Sequence, residues 1–528
     1  MAEVNAERYG MKLNRNSRKK NVFLTSGMGL IYQLCSNLMA FVYRTVFLYV
    51  LSVDYLGING LFSNIINIFS LAELGIGSVI VYRLYDPIKN ADVSQMSALM
   101  RFYSQFYHLL AVIIAVVGIA LTPFLPLFIH DLNEVPSDVN IYVVYLLFVL
   151  QSVTSYLFVY KQSLLNADQR GYIVSLAQSV WTVVRYLLQI VFLLITRDFT
   201  LTLAVGIVAN VASNAVFSGI ITRWYSEVFA CKNKLRKDEK QSIFKDTFAL
   251  LCHNIGQTVV FSTDNLILST FVGTVAVGIY SNYSLIINAV SNVLKTILGT
   301  FTSSIGNFKL SADSKAVYEL YKKLRFANMW IASFCACSLY LLLSPFISVV
   351  WNGEKILFSD SVVLALCISF FLSYARIVNG SFINACGLFV RDKIRPLIEA
   401  IVNLVVSIVL VEQIGIVGIF IGTIISNMVT VWWREPYILY HELFETSLAE
   451  YIKEYMKWCL LCIIAVLGIG RIFESLPMNM FFLIIRFVIC GIVINVFFAA
   501  VMWKRESFQY YRKLLWEMLN NKILKRRH

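Results

Sequence analysis

The chain has 528 residues, of which 58% are hydrophobic and only 14% charged, far from the roughly 45–50% apolar and 25% charged of an average soluble domain. A mean hydropathy of +0.70 excludes a soluble globule. The net charge of +14 could suit nucleic acid, but the distribution of the basic residues gives it another meaning.

Apolar runs of about 20 residues, each sufficient to cross roughly 30 Å of hydrocarbon, recur about fourteen times between Val22 and Val501. In chain order the predicted spans are 22–51, 58–82, 106–129, 139–160, 172–195, 199–222, 244–272, 275–303, 326–350, 361–383, 394–411, 414–433, 458–472 and 480–503. Their ends are good to about three residues. The thirteenth run is short, and only Glu412, Gln413 and an adjacent turn divide the eleventh from the twelfth. This is an all-α polytopic membrane protein.

With the amino terminus in the cytoplasm, roughly 37 of the 45 Lys and Arg fall in inward loops and tails and about three (Arg197, Lys355, Arg471) fall outside. Both termini are therefore expected to be cytoplasmic. The largest inward basic groups are Arg15 to Lys20, Arg223 to Lys245, Lys309 to Arg325 and Lys504 to Arg527. They account for the net charge without nucleic acid, and membrane lipids of the inner leaflet are their natural partner. Leu310 to Arg325 and Glu442 to Lys457 read as short amphipathic segments on that leaflet. The first apolar run is too long for a cleaved signal peptide and is expected to remain as the first span, with Met1 or Met11 as the start.

The stretch from Tyr55 to Ser70 is partly rewritten from Ala276 to Ser291, with roughly seven identities in sixteen positions. A duplicated bundle follows: a basic amino terminus (1–21), an N-lobe of six spans (22–222), a basic linker (223–243), a C-lobe of six spans (244–433), an amphipathic cytoplasmic segment (434–457), two further spans (458–503) and a basic tail (504–528).

Polar side chains recur at helical spacing in both copies. The first span carries Ser26, Gln33, Asn37 and Arg44, and the second Ser63, Asn67, Ser70 and Glu73. The seventh carries Asn254, Gln257 and Asp264, and the eighth Ser281, Ser284, Asn288, Ser291 and Lys295. Such residues can simply hydrogen-bond between helices at roughly 0.6 kcal/mol each. A mid-membrane charge costs at least about 2.5–3.5 kcal/mol and normally faces a cavity or a partner. Arg44, Lys295, Arg185 and Arg376 are accordingly the candidates for an anionic substrate, and Gln33, Asn37, Asn67 and Asn288 for hydroxyl groups.

The repeat offset sets Arg44 beside Asp264 and Glu73 beside Lys295, two opposite-charge pairs that could close the outer and inner faces in turn, unless each charge is satisfied within its own lobe. Glu73, Asp264 and His253 are the gating or coupling candidates. Glu399 is expected to pair with Arg395. The ten cysteines lie mostly in spans or face the cytoplasm, so neither a disulfide framework nor a Cys459–Cys462 metal site is expected. No phosphate loop, nucleophile elbow or zinc-protease motif is present, which disfavours an enzyme.

The stretches Asn14 to Asn21, Tyr55 to Phe62 and Leu71 to Ser78 resemble bacterial polysaccharide repeat-unit flippases of the Wzx type, in the MOP superfamily. The resemblance covers about Asn14 to Trp503. It implies two pseudo-symmetric six-helix lobes with two extra carboxy-terminal helices, and transfer of an oligosaccharide on undecaprenyl diphosphate across the bacterial cytoplasmic membrane for capsule or exopolysaccharide assembly. It implies no cofactor, a coupling ion (H+ or Na+) left open, and a polysaccharide polymerase and its assembly machinery as further partners. A MATE-like drug or cation antiporter would share the fold and use Asp264 and Glu73 for its ion. A membrane-embedded polymerase or glycosyltransferase would call for a large outer loop that this sequence lacks.

Overall fold

Hydrocarbon offers no partner to a backbone amide, so a chain this apolar must pair its own N–H and C=O groups, and it does so in helices. The structure, a computed structural model, describes residues 15–69, 76–129, 135–231, 233–299, 305, 308, 313–351, 353, 356–388, 392 and 394–524. No strand occurs among them. Packing divides the chain into two compact units, residues 1–281 and 282–528.

The first unit opens with α1 (Arg15–Val50), α2 (Val53–Phe69) and α3 (Ile76–Lys89), followed by α4 (Val93–Leu121), which runs on as a tighter turn over Thr122–Phe128. Then come α5 (Ile141–Val159), the short α6 (Gln162–Ala167), α7 (Gly171–Thr196), α8 (Phe199–Trp224), the short α9 (Ser226–Ala230) and α10 (Lys237–Phe271). Polar side chains close the exposed amino ends: Asp92 accepts from the Gln95 amide at 2.9 Å, Asn140 from Tyr142 at 3.0 Å and Asp198 from Leu201 at 2.9 Å. Such caps satisfy the amides a helix leaves free and mark where each helix meets water.

The helix α11 (Thr274–Gly299) starts in the first unit. In the second unit follow α12 (Ser314–Val350), α13 (Asp360–Ala375), the short α14 (Ile377–Ala385), α15 (Arg395–Ile414), α16 (Ile416–Asn427) with a π-turn over Met428–Trp432, and α17 (Arg434–Glu442). The chain ends in α18 (Leu448–Glu474), α19 (Met480–Ile489), α20 (Asn495–Met502) and α21 (Glu506–Leu524). The order long, long, short, long, long, short that runs from α4 to α9 recurs from α12 to α17. The duplication is therefore visible in element order as well as in sequence.

Ten stretches among the described residues are long and apolar enough to cross a bilayer. They coincide with predicted spans three to six and nine to fourteen. At the other four predicted spans the chain is helical (α1, α2 with α3, α10 and α11), but these helices are not among the ten. Aliphatic side chains such as Leu109, Val112 and Val116 on α4, or Leu460, Ile463 and Leu467 on α18, are exposed at helical spacing, which is the surface a lipid-facing helix presents.

Two segments differ from expectation. Residues 314–325 and 448–457 are not separate surface helices but the first turns of α12 and α18. Neither contains a breaker, and Val317 and Tyr321, like Tyr451 and Tyr455, are buried, so continuing the helix keeps both backbone pairing and packing. The break between α15 and α16 falls at Gly415, whose φ of 64° suits a residue without a side chain.

Two apolar clusters build the first unit. One holds Leu84, Tyr103, Tyr107, Leu164, Phe217 and Ile221; the other holds Phe47, Phe62, Leu125, Tyr145, Leu193 and Phe199. α1 packs along α7 and α5 along α8, and polar side chains of these four helices line one cavity.

Candidate functional site

Arg44 lies on α1 and Arg185 on α7, 141 positions apart in sequence and brought onto one side of the α1–α7 pair through two tyrosines. The rings of Tyr43 and Tyr186 approach to 5.5 Å between centroids, and the Arg185 guanidinium sits 4.8 Å over the Tyr186 ring. Arg44 Nη1 donates to Ser281 Oγ at 2.7 Å, and that hydroxyl donates to Gly278 O at 2.7 Å. Arg185 makes no ion pair with a described residue, and its Nε is buried without a hydrogen-bond partner. Among the described residues no carboxylate matches this guanidinium, and an unmatched charge among apolar helices is costly.

Below Arg185 a cavity of about 250 Å³ opens between α1, α5, α6, α7 and α8, lined among others by Tyr32, Gln162, Gln178, Trp181, Asn210 and Asn214. Its residues on α7 (178, 181, 182, 185) and α8 (210, 213, 214, 217) follow helical spacing, so each helix gives the cavity one face. No Asp or Glu is among the described residues that line it. Gln33 Nε2 donates to Asn37 Oδ1 at 2.9 Å along the stripe of α1. Asn67 is exposed near the end of α2.

Asp264 is buried on α10. Glu73 lies outside the described residues, as does the side chain of His253. In the second unit Asn288 and Lys295 are exposed on α11.

Arg376, at the end of α13, has a carboxylate partner. Its Nη1 meets Glu435 Oε1 at 2.5 Å, within a buried network in which Arg395 reaches Asp392 at 2.6 Å and Glu399 at 2.9 Å. Arg395 Nη2 is also 3.6 Å from Glu435, and Arg434 3.6 Å from Asp392. Among the described residues three guanidinium groups and three carboxylates balance at the ends of α13, α15 and α17. The Arg376 charge is already matched, which makes it a poor anion receptor. The pairing of Glu399 with Arg395 follows from their i,i+4 spacing.

Sequence reasoning missed two polar clusters in the first unit. Asp168 is buried between α6 and α7, accepts from the Tyr225 hydroxyl at 2.6 Å and pairs with Arg170 at 3.1 Å; burial pushes its carboxyl above the usual range. Arg83 on α3 reaches Asp246 at 2.6 Å and Ser242 at 2.7 Å on α10, beside a cavity of about 380 Å³. The partners are 57 and 163 positions apart, so helical periodicity gave no signal for either.

The helices have the order and packing of the MOP-superfamily fold. A solved structure of the lipid II flippase MurJ, in an inward closed conformation, superposes with a TM-score of 0.65 at 14% identity, over 92% of this chain and 99% of that one. An inward-facing MATE multidrug resistance transporter of the MOP superfamily gives 0.62 at 15% identity, over 80% and 99%. The MATE multidrug transporter DinF-BH gives 0.58 at 16% identity, over 83% and 99%. No curated protein matches. Residues 19–302 match the family model described as polysaccharide biosynthesis protein, and the chain belongs to that family.

Proposed function

We propose that the protein is a flippase that carries an oligosaccharide on undecaprenyl diphosphate from the inner to the outer leaflet of the bacterial cytoplasmic membrane, with both termini in the cytoplasm. The observation that carries this reading is Arg185: a guanidinium inside the helix bundle, without a carboxylate partner among the described residues, beside Arg44 and at the edge of a polar cavity. A diphosphate supplies the missing negative charge and accepts paired hydrogen bonds from guanidinium. The sugar headgroup cannot cross hydrocarbon alone, so amide-lined helix faces replace its water while the prenyl chain stays in lipid.

Transport by alternating access needs one end closed while the other admits cargo. On the predicted topology the outer ends of α2 and α11 are the ones packed together at Gly57 and Gly278. Asp264, buried on α10, is the residue through which H+ or Na+ would couple. The same residue is what favours a drug or cation antiporter as the second reading. That reading predicts cation resistance on expression; the flippase reading predicts none.

Deleting the gene tests the proposal. Lipid-linked repeat units should accumulate on the cytoplasmic face and surface polymer should disappear, with both restored by the intact chain. Normal polymer in a strain without another flippase would overturn it.

A further inference from the structure

The cavity beneath Arg185 has a chemistry more specific than a wet gap between helices. Gln178 Nε2 donates to Gln162 Oε1 at 3.3 Å, and Asn214 Nδ2 donates to Asn210 Oδ1 at 3.2 Å. Each pair spends one donor and one acceptor, so each retains an amide NH2 and an amide oxygen for something else. The four residues stand on α6, α7 and α8 and line one small space. A hydroxyl group, donor and acceptor at once, satisfies such amides better than any ion does. The Trp181 indole borders the same space and offers a flat apolar face with a single N–H at its edge.

We infer that this cavity is a subsite for one pyranose ring of the translocated headgroup: the apolar C–H face of the sugar packs on Trp181, its hydroxyls bond the amides of Gln162, Gln178, Asn210 and Asn214, and Arg185 holds an oxygen at the ring's edge. Three features select this ligand. The cavity of about 250 Å³ suits a single sugar ring and is too small for a repeat unit of several. Amides with a flat aromatic wall match a molecule whose two faces and rim differ in polarity. With Arg185 in the lining and no acidic group among the described residues there, the cavity repels the organic cations an antiporter would carry. The edge oxygen belongs either to an acidic substituent of the sugar or to the phosphate that links it to the lipid; both present an anion to the same guanidinium.

The inference rests on the flippase reading, so the test must separate the two. The full-length protein in lipid nanodiscs is titrated with three probes: a short-chain polyprenyl diphosphate, the same lipid bearing one neutral N-acetylhexosamine, and the same lipid bearing one hexuronic acid. The quantity read is the ratio of affinities with and without the sugar. The wild-type protein should bind at least one sugared probe about tenfold more tightly than the bare lipid, a difference typical of a few added hydrogen bonds and one aromatic contact. Trp181→Ala and Asn214→Leu should each remove most of that ratio, and Trp181→Phe should keep much of it. A gain confined to the uronic acid assigns Arg185 to the sugar's own carboxylate; an equal gain with both sugars assigns it to the linking phosphate.

A readout on the otherwise unaltered cavity guards against misfolded variants. Ser155→Cys, which also borders the space, should be shielded from maleimide by the sugared probe and not by the bare lipid. Equal affinity for all three probes, with no shielding, overturns the subsite and leaves the flippase standing. Binding of none of them overturns the flippase reading itself.

Discussion

Gly57 and Gly278 occupy the same place in the two copies of the sequence repeat and meet each other in the structure. A Cβ on Gly278 would stand 2.5 Å from Val53 O and 2.8 Å from Gly57 N, and one on Gly57 would overlap the Thr274 carbonyl. Backbone lies against backbone where α2 and α11 cross. Small residues at such a crossing permit the close approach on which helix association in lipid depends.

The first prediction concerns this crossing. Gly57→Val and Gly278→Val place branched side chains against backbone that cannot move aside as a flexible side chain would. Each variant should insert in the membrane, lose most polymer output, and expose cysteines placed in the cavity to reagents added outside. Output and accessibility like the wild type for both would show that the close approach is dispensable.

The second concerns charge at the candidate site. Arg44→Ala and Arg185→Ala should each abolish transport with normal insertion, because each removes charge-assisted bonds to phosphate. Lys295→Ala should do the same if the exposed lysine of α11 also meets cargo. Arg185→Lys should retain only part of the activity, since an ammonium keeps the charge without the paired donors. Polymer yield scored against membrane-extracted protein decides each case.

The third concerns the proposed outer closure. If Arg44 and Asp264 close the outer side together, Asp264→Ala should raise outside accessibility of cavity cysteines. Exchanging the two charges, Arg44→Asp with Asp264→Arg, should recover part of the function. Glu73→Ala should instead raise inside accessibility. Movement in the same direction for both single variants, or no recovery on exchange, would assign these charges separate roles.

The fourth separates Arg376 from the cargo. Arg376→Ala leaves Glu435, 4% exposed, with Arg395 at 3.6 Å as its one remaining basic partner among the described residues. Stripping a buried charge of its partner costs roughly 3–5 kcal/mol, and the remaining arginine puts this case near the lower end. The melting temperature in detergent should fall. Arg376→Met combined with Glu435→Leu should recover much of it, because no lone charge is then left behind. An unchanged melting temperature in Arg376→Ala, together with lost cargo binding, would return this arginine to the substrate site.

The sequence by itself determined the solvent, the helices and the duplication. Composition and apolar run length leave a chain no other way to satisfy its backbone in hydrocarbon, and a repeat is legible wherever two segments keep the same residues in the same order. It also placed Arg44, Gln33, Asn37 and Asp264 on polar helix faces, because a period of 3.6 residues tells which residues share a side.

Periodicity does not tell what that side faces. Only the tertiary structure matched Arg376 to Glu435, 59 positions away, and left Arg185 without a carboxylate among the described residues. It gathered amides from α6, α7 and α8 around Trp181, and it set Gly57 against Gly278. Each of these follows from how whole helices pack, and packing is a property of surfaces far apart in the chain that no local pattern encodes.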